Sequence, residues 1–199
     1  MKILLIGAGG TIGSAVDKEL SQRHEIVRIG RKSGDFQVDI SDSASIRKLF
    51  EQTGKFDALI CAAGNVTFAP LAEMTEESFA LGLKDKLMGQ VNLLLIGREY
   101  ANDGASFTFT TGVLSHDPIR SGASAALVNG ALDSFVRAAA IELPRGLRVN
   151  SISPNVLVEA MGKYAPYFRG FKPVPAADVA LAYAKSVEGL QTGQTIHVG

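Results

Sequence analysis

"KILLIGAGGTIG", residues 2 to 13, decides how the rest of the chain is read. Lys2 to Ile6 is a short run too apolar to turn one face to water, so it reads as a strand buried on both sides. The run stops at Gly7, and Gly10 and Gly13 follow at intervals of three as a pattern of helical period begins at residue 11. Glycines so placed permit a tight turn. They also let the backbone approach a pyrophosphate, which then sits at the positive N-terminal end of the helix. A plain tight turn is the bland alternative. A dinucleotide site is the functional one.

Working outward, strands are predicted at 25–29, 57–61, 106–110, 147–152 and 194–198, with helices over 11–22, 43–53, 75–101, 123–143 and 176–187. Such alternation implies an α/β fold, a doubly wound, mostly parallel sheet with helices on both faces. One connection fits badly, because only "GRKSG" separates the second strand from "DFQVDI", whereas a parallel crossover normally needs about a dozen residues. A short crossover without a helix is expected there. Residues 155 to 175, "NVLVEAMGKYAPYFRGFKPVP", lack periodicity and are rich in Gly, Pro and aromatics, which suggests a lid or substrate loop.

Composition narrows the function classes. A chain of 199 residues with 46% hydrophobic content builds one good core, and one domain spanning 1–199 is expected. Twenty basic residues balance twenty acidic ones, without the basic excess that nucleic-acid binding needs. Cys61 is the only cysteine, so an intrachain disulfide is impossible and a reducing compartment is the natural home. The histidines are scattered and no metal site is expected. The opening apolar run is too short for a signal peptide or a membrane span, which gives the expectation of a soluble cytoplasmic protein without a membrane partner.

The end of the second strand bears on which dinucleotide is bound. A carboxylate there would serve the ribose hydroxyls of NAD. Gly30 is instead followed by Arg31 and Lys32, cations suited to a 2′-phosphate, so NADP(H) is favoured over NAD. Two solvated turn cations are the bland alternative.

Several stretches together resemble the short-chain dehydrogenase/reductase family. "GAGGTIG" (7 to 13) resembles its glycine motif, and "VDISD" (38 to 42) resembles the segment carrying the Asp that contacts adenine, here Asp39. "CAAG" (61 to 64) resembles the Asn-Ala-Gly motif, with Cys61 where a polar residue is usual. "IELPRGLRVNSISPN" (141 to 155) is similar to the family's stretch ending in Ser-Pro-Gly, with Asn155 in place of the glycine. The resemblance implies a Rossmann-type fold and cofactor contacts from Gly7, Gly10, Thr11, Ile12, Gly13, Asp39, Ile40, Ala62, Ala63, Gly64, Pro154, Asn155 and Val156. It also implies a small-molecule substrate and a homodimer or homotetramer.

The departures fall where the family does its chemistry. Its Tyr-x-x-x-Lys pair falls on Ala125 and Asn129, within "SGASAALVNGAL" (121 to 132), and its helix Asn falls on Lys86. Thr111 stands near the place of the substrate-orienting Ser, with Ser115 as a substitute. Ala125, Asn129, Leu132 and Val136 share one helix stripe, so the Asn129 amide should be buried and should need a partner. Lys86 is a candidate partner, as if the usual Lys and Asn had changed places. The alternative is a solvated Lys86 and an Asn129 that caps a local irregularity. His116, Tyr164 and Tyr167 are further candidate acids. Two functions are implied by the resemblance. One is an NADP(H)-dependent oxidoreductase using Thr111, Lys86 and Asn129 on a carbonyl or alcohol. The other is a catalytically silent NADP(H)-binding sensor or partner-binding module.

Overall fold

The computed structural model describes residues 1–199. Strand β1 (Lys2–Ile6) pairs in parallel with β2 (Glu25–Gly30) on one side and β4 (Phe56–Cys61) on the other. It therefore lies inside the sheet, as its unbroken apolar run requires. Beyond β2 lies β3 (Phe36–Gln37). Beyond β4 come β5 (Ala101–Thr110), β6 (Arg148–Pro154) and β7 (Thr195–Val198), giving the all-parallel order β3-β2-β1-β4-β5-β6-β7.

Side chains alternate across the strands and build two cores. Ile3, Leu5 and Ile60 meet α1 (Thr11–Leu20) and α7 (Ala176–Glu188) through Val16, Leu20, Val179 and Tyr183. Leu4, Ile6, Phe107 and Phe109 meet α2 (Ser43–Thr53), α4 (Met88–Gly97) and α5 (Ala123–Ala140) on the other face. Connections run one way from β1 to β3 and the other way from β4 onward. The strand ends therefore open a crevice between β1 and β4, the switch point where such sheets take ligands.

The crossover from β2 to β3 is short and without a helix, as expected. Asp35 N–H donates to the Arg28 carbonyl, and Val38 N–H to the Gly30 carbonyl. The expected single helix over 75–101 is different. It is α3 (Glu76–Gly82), a π-turn at Leu83–Leu87, then α4, which stops at Gly97; Ala101 already pairs with Phe56. The pairing with β4 is interrupted after Ala101, where Gly104 has φ +75°, and resumes at Ser106 in the stretch read as a strand. Residues 155–175 form an excursion carrying α6 (Met161–Tyr164), closed at its base by Val158 N–H to Val174 O and Val174 N–H to Val156 O. No helix is long and apolar enough to cross a membrane.

Candidate functional site

The glycine turn explains its own composition. Gly7 has φ +87°, and a Cβ there would stand 2.7 Å from the Ala62 carbonyl oxygen. A Cβ on Gly13 would stand 2.0 Å from the Gly7 carbonyl oxygen, so β1, β4 and α1 close on one another only through glycine. A Cβ on Gly9, by contrast, would meet nothing within 4 Å, and it lies on the open side of the turn. The α1 N-terminus, with Gly10 as its cap residue, has no side-chain cap. The first-turn amides of Thr11, Ile12 and Gly13 thus lack the partner that a Ser or Asp would supply, and such a terminus receives anions.

At the end of β2 the Arg31 guanidinium donates to Asp39 Oδ2 at 2.8 Å. The other carboxylate oxygen accepts from Ser41 N–H at 3.0 Å and Ser41 Oγ–H at 2.7 Å. These Ser41 bonds, and then Arg31, hold the Asp39 carboxyl below the usual range. Lys32 is exposed beside them, while Ile40 is buried against α4, where a Cβ on Gly89 would lie 3.0 Å from Ile40 Cγ1.

The crevice ends in a cavity of about 350 Å³ whose wall includes Ile12, Ala62, Ala63, Gly64, Lys86, Thr111 and Pro154 to Leu157. Lys86 reaches it from the π-turn. A π-turn inserts one residue into a helix and re-aims the side chains beyond it, and such turns recur at functional sites. Three side chains pin this one. Buried Asp85 accepts from Asn65 N–H and Nδ2–H, at 3.1 and 2.9 Å. Gln90, fully buried, donates to the Lys86 and Thr110 carbonyls and accepts from Thr110 N–H at 2.9 Å. The Lys86 ammonium donates to the Thr111 carbonyl at 3.3 Å. Its stem packs on Gly64, where a Cβ would stand 2.7 Å from Lys86 Cγ. Burial pushes the Lys86 amine down to about 8.

Thr111 lies beside it, its Oγ1–H donating to the Ile152 carbonyl at 3.3 Å, a long bond. Asn129 is not part of this wall. It is buried, its Nδ2 donates to the Gly112 carbonyl at 3.4 Å, and its Oδ1 has no partner. Lys86 and Asn129 therefore do not pair directly; each is tied to a different carbonyl of the turn after β5. Ala125 is covered too, in an apolar cluster with Val113, Leu114, Val156 and Phe168. Ser115 bonds the Gly112 carbonyl, and His116 is exposed and packs edge-on against His197 at 4.6 Å, away from the cavity wall. Cys61 is buried and pushed up to about 12, chiefly by burial, which keeps it an inert thiol.

The excursion at 155–175 supplies Tyr164 and Phe168 to the cavity wall, and Phe68 joins them from the segment after β4. Phe68 and Tyr164, with ring centroids 6.2 Å apart, also line a wider outer chamber of about 1190 Å³ that includes Tyr167. Sequence reasoning did not find Phe68, Phe168, Asp85 or Gln90. Gln90 had a signal of the same kind as Asn129, a lone amide in an apolar helix. Phe68 and Phe168 lie in stretches without a legible period, and Asp85 owes its place to a π-turn inside the expected helix over 75–101.

A family model described as enoyl-(acyl carrier protein) reductase matches residues 11–198. The short-chain dehydrogenase/reductase ATR9 of Stachybotrys chlorohalonatus is 28% identical over 193 residues, covering 80% of this chain and 74% of that protein. The matched stretches span 56% to 74% of the length of ATR9 and two further curated relatives. Among solved structures, the protein lin1944 from Listeria innocua is 54% identical with a TM-score of 0.99, covering 100% of both chains. A small-chain dehydrogenase in complex with NADPH is 27% identical with a TM-score of 0.88, covering 100% of this chain and 96% of that one. With its parallel seven-stranded sheet, its glycine turn at the strand-order switch and a family match over almost its whole length, the chain belongs to the short-chain dehydrogenase/reductase family.

Proposed function

We propose that the chain is an NADP(H)-dependent oxidoreductase acting on a small carbonyl or alcohol, with Lys86 as its proton carrier. The observation that carries this reading is an ammonium of depressed pKa, about 8, placed beside Thr111 on the wall of the switch-point cavity. A buried cation is costly to the fold, and one aimed into a cleft is the kind of group that proton transfer uses.

The residues present fit the cofactor. The uncapped start of α1, on a turn where Gly7 and Gly13 leave no room for a side chain, suits a pyrophosphate held by Gly10, Thr11, Ile12 and Gly13. Arg31 uses one N–H on Asp39 and keeps the rest of its fork for a 2′-phosphate, with Lys32 adjacent. Asp39 then acts by holding Arg31, and Ile40, being buried, supports that turn from beneath. Ala62, Ala63, Gly64, Pro154, Asn155 and Val156 would flank the nicotinamide end. The reduced cofactor, when bound, supplies hydride to a carbonyl carbon.

The chain's own residues do the rest. Lys86 spends one N–H on Thr111 and has two left to hold the substrate oxygen and deliver a proton to it. Thr111 Oγ1, on a long bond, can turn toward that oxygen at small cost. Asn129 positions the turn at Gly112 from behind. Residues 155–175 act as the lid that excludes water. Exposed Leu83, Met88 and Leu95, with Leu127 on α5 and Ile141 just beyond it, suit a homodimer or homotetramer contact.

The burial of Ala125 and Asn129 off the cavity wall favours the second reading, a silent NADP(H)-binding module. Titration with NADPH and NADH, followed by NADPH consumption over a panel of aldehydes, ketones, quinones and imines, separates the two. Binding without turnover supports the module.

A further inference from the structure

We propose that the outer chamber is an anion-selecting substrate site, and that the substrate is a carbonyl compound bearing a carboxylate remote from its reacting carbon. The carbonyl part of this statement rests on the reductase reading above; the carboxylate part does not.

The chamber wall carries two cations, Arg120 and Lys163, and no acidic residue. Neither cation has a salt bridge or a side-chain hydrogen bond, whereas Arg31 and Lys86, elsewhere in the crevice, are each bonded. Asp117, three residues before Arg120, is exposed but lies outside the wall. Lys163 Nζ stands 5.2 Å from the centroid of the Tyr164 ring, which keeps the ammonium at the chamber's inner end. Arg120 is carried by the turn into α5, where Ser121 adopts φ +64°, a conformation unfavourable to a non-glycine residue, which marks a turn fixed by its surroundings. Helix α5 starts there without a side-chain cap, and its positive end adds to the same field.

Most of the rest of the wall is apolar, with Phe68, Leu71, Ile119 and the rings of Tyr164 and Tyr167 as its large groups. A ligand filling it has a hydrophobic spacer and an anionic end. Because Phe68 and Tyr164 border both spaces, the spacer passes their rings and its far end enters the cavity at Lys86 and Thr111. Arg120 offers a planar fork that matches a carboxylate, and the second cation is a single point charge.

The test begins with binding, which needs no turnover. Hexanoate, its methyl ester and hexyl phosphate are titrated calorimetrically into the full chain, and into Arg120→Gln, Lys163→Gln and Arg120→Lys. Both positions are exposed, so the variants should fold. Hexanoate should bind about ten-fold more tightly than the ester, the factor expected of one charge-assisted contact. That preference should vanish in Arg120→Gln, shrink in Lys163→Gln and partly return in Arg120→Lys. Equal affinity for acid and ester, or a preference unaffected by the Gln variants, overturns the proposal, as does a ten-fold preference for hexyl phosphate. Adipate semialdehyde and its methyl ester are then compared as substrates with NADPH, and the acid should show the higher kcat/KM. Selective hexanoate binding without reduction of any carbonyl would keep the anion site and overturn the reductase reading instead.

Discussion

Replacing Lys86 with methionine should make the protein more stable at neutral pH while removing its chemistry. A lysine lowered from 10.5 to about 8 costs the native state roughly 3 kcal/mol at neutral pH, at about 1.4 kcal/mol per factor of ten. The ammonium keeps one side on the cavity, so about half of that is the expected size. Below pH 8 the native and unfolded states both hold the proton, and the full penalty applies. Between about 8 and 10.5 the unfolded chain binds a proton that the native chain does not, so this group's contribution to stability rises with pH. Above 10.5 the penalty is gone. Methionine has similar length and no charge, and loses only the long bond to the Thr111 carbonyl, worth less than about 1 kcal/mol. Urea denaturation at pH 7 should therefore show Lys86→Met more stable by roughly 1 kcal/mol, with the difference disappearing near pH 10.5. A variant less stable than the parent at pH 7, or a difference that does not change with pH, would refute a desolvated, charged Lys86.

The cofactor turn and α5 give further tests. Arg31→Asp should weaken NADPH by about 10- to 100-fold, the loss expected for a charge-assisted contact, and NADH far less; equal losses in a fluorescence titration would remove Arg31 from phosphate selection. Gly7→Val and Gly13→Ala place a side chain 2.7 and 2.0 Å from backbone oxygens and should abolish binding of both cofactors, which unchanged affinity would contradict. Ala125→Tyr with Asn129→Lys, with or without Lys86→Asn, forces a ring into the Val113, Val156 and Phe168 cluster. It should lose about 2 kcal/mol in thermal or urea unfolding and lower any native activity. A gain of carbonyl reduction in that variant would show that the usual acid site is still open.

The sheet was legible because it is written in local signals. β1 is an uninterrupted apolar run, the glycines come at once, and the short crossover betrays itself by length. The candidate site was legible only in part. Lys86 was visible as the residue standing where the family's helix Asn falls, but its pinning by Asp85 and Gln90 depends on a π-turn that helical periodicity cannot announce. Asn129 was rightly read as buried, yet its partner is the Gly112 carbonyl rather than Lys86, because the turn after β5 lies between them. Phe68 and Phe168 reach one cavity wall only through the folding back of two aperiodic segments.

Rapid mixing of the NADPH-loaded protein with the carbonyl panel at a series of pH values tests the central claim most directly. The account predicts consumption of NADPH at a rate that falls as pH rises through about 8, where Lys86 loses its proton, and a flat, much slower profile in Lys86→Met. Tight NADPH binding with no consumption at any pH would contradict it.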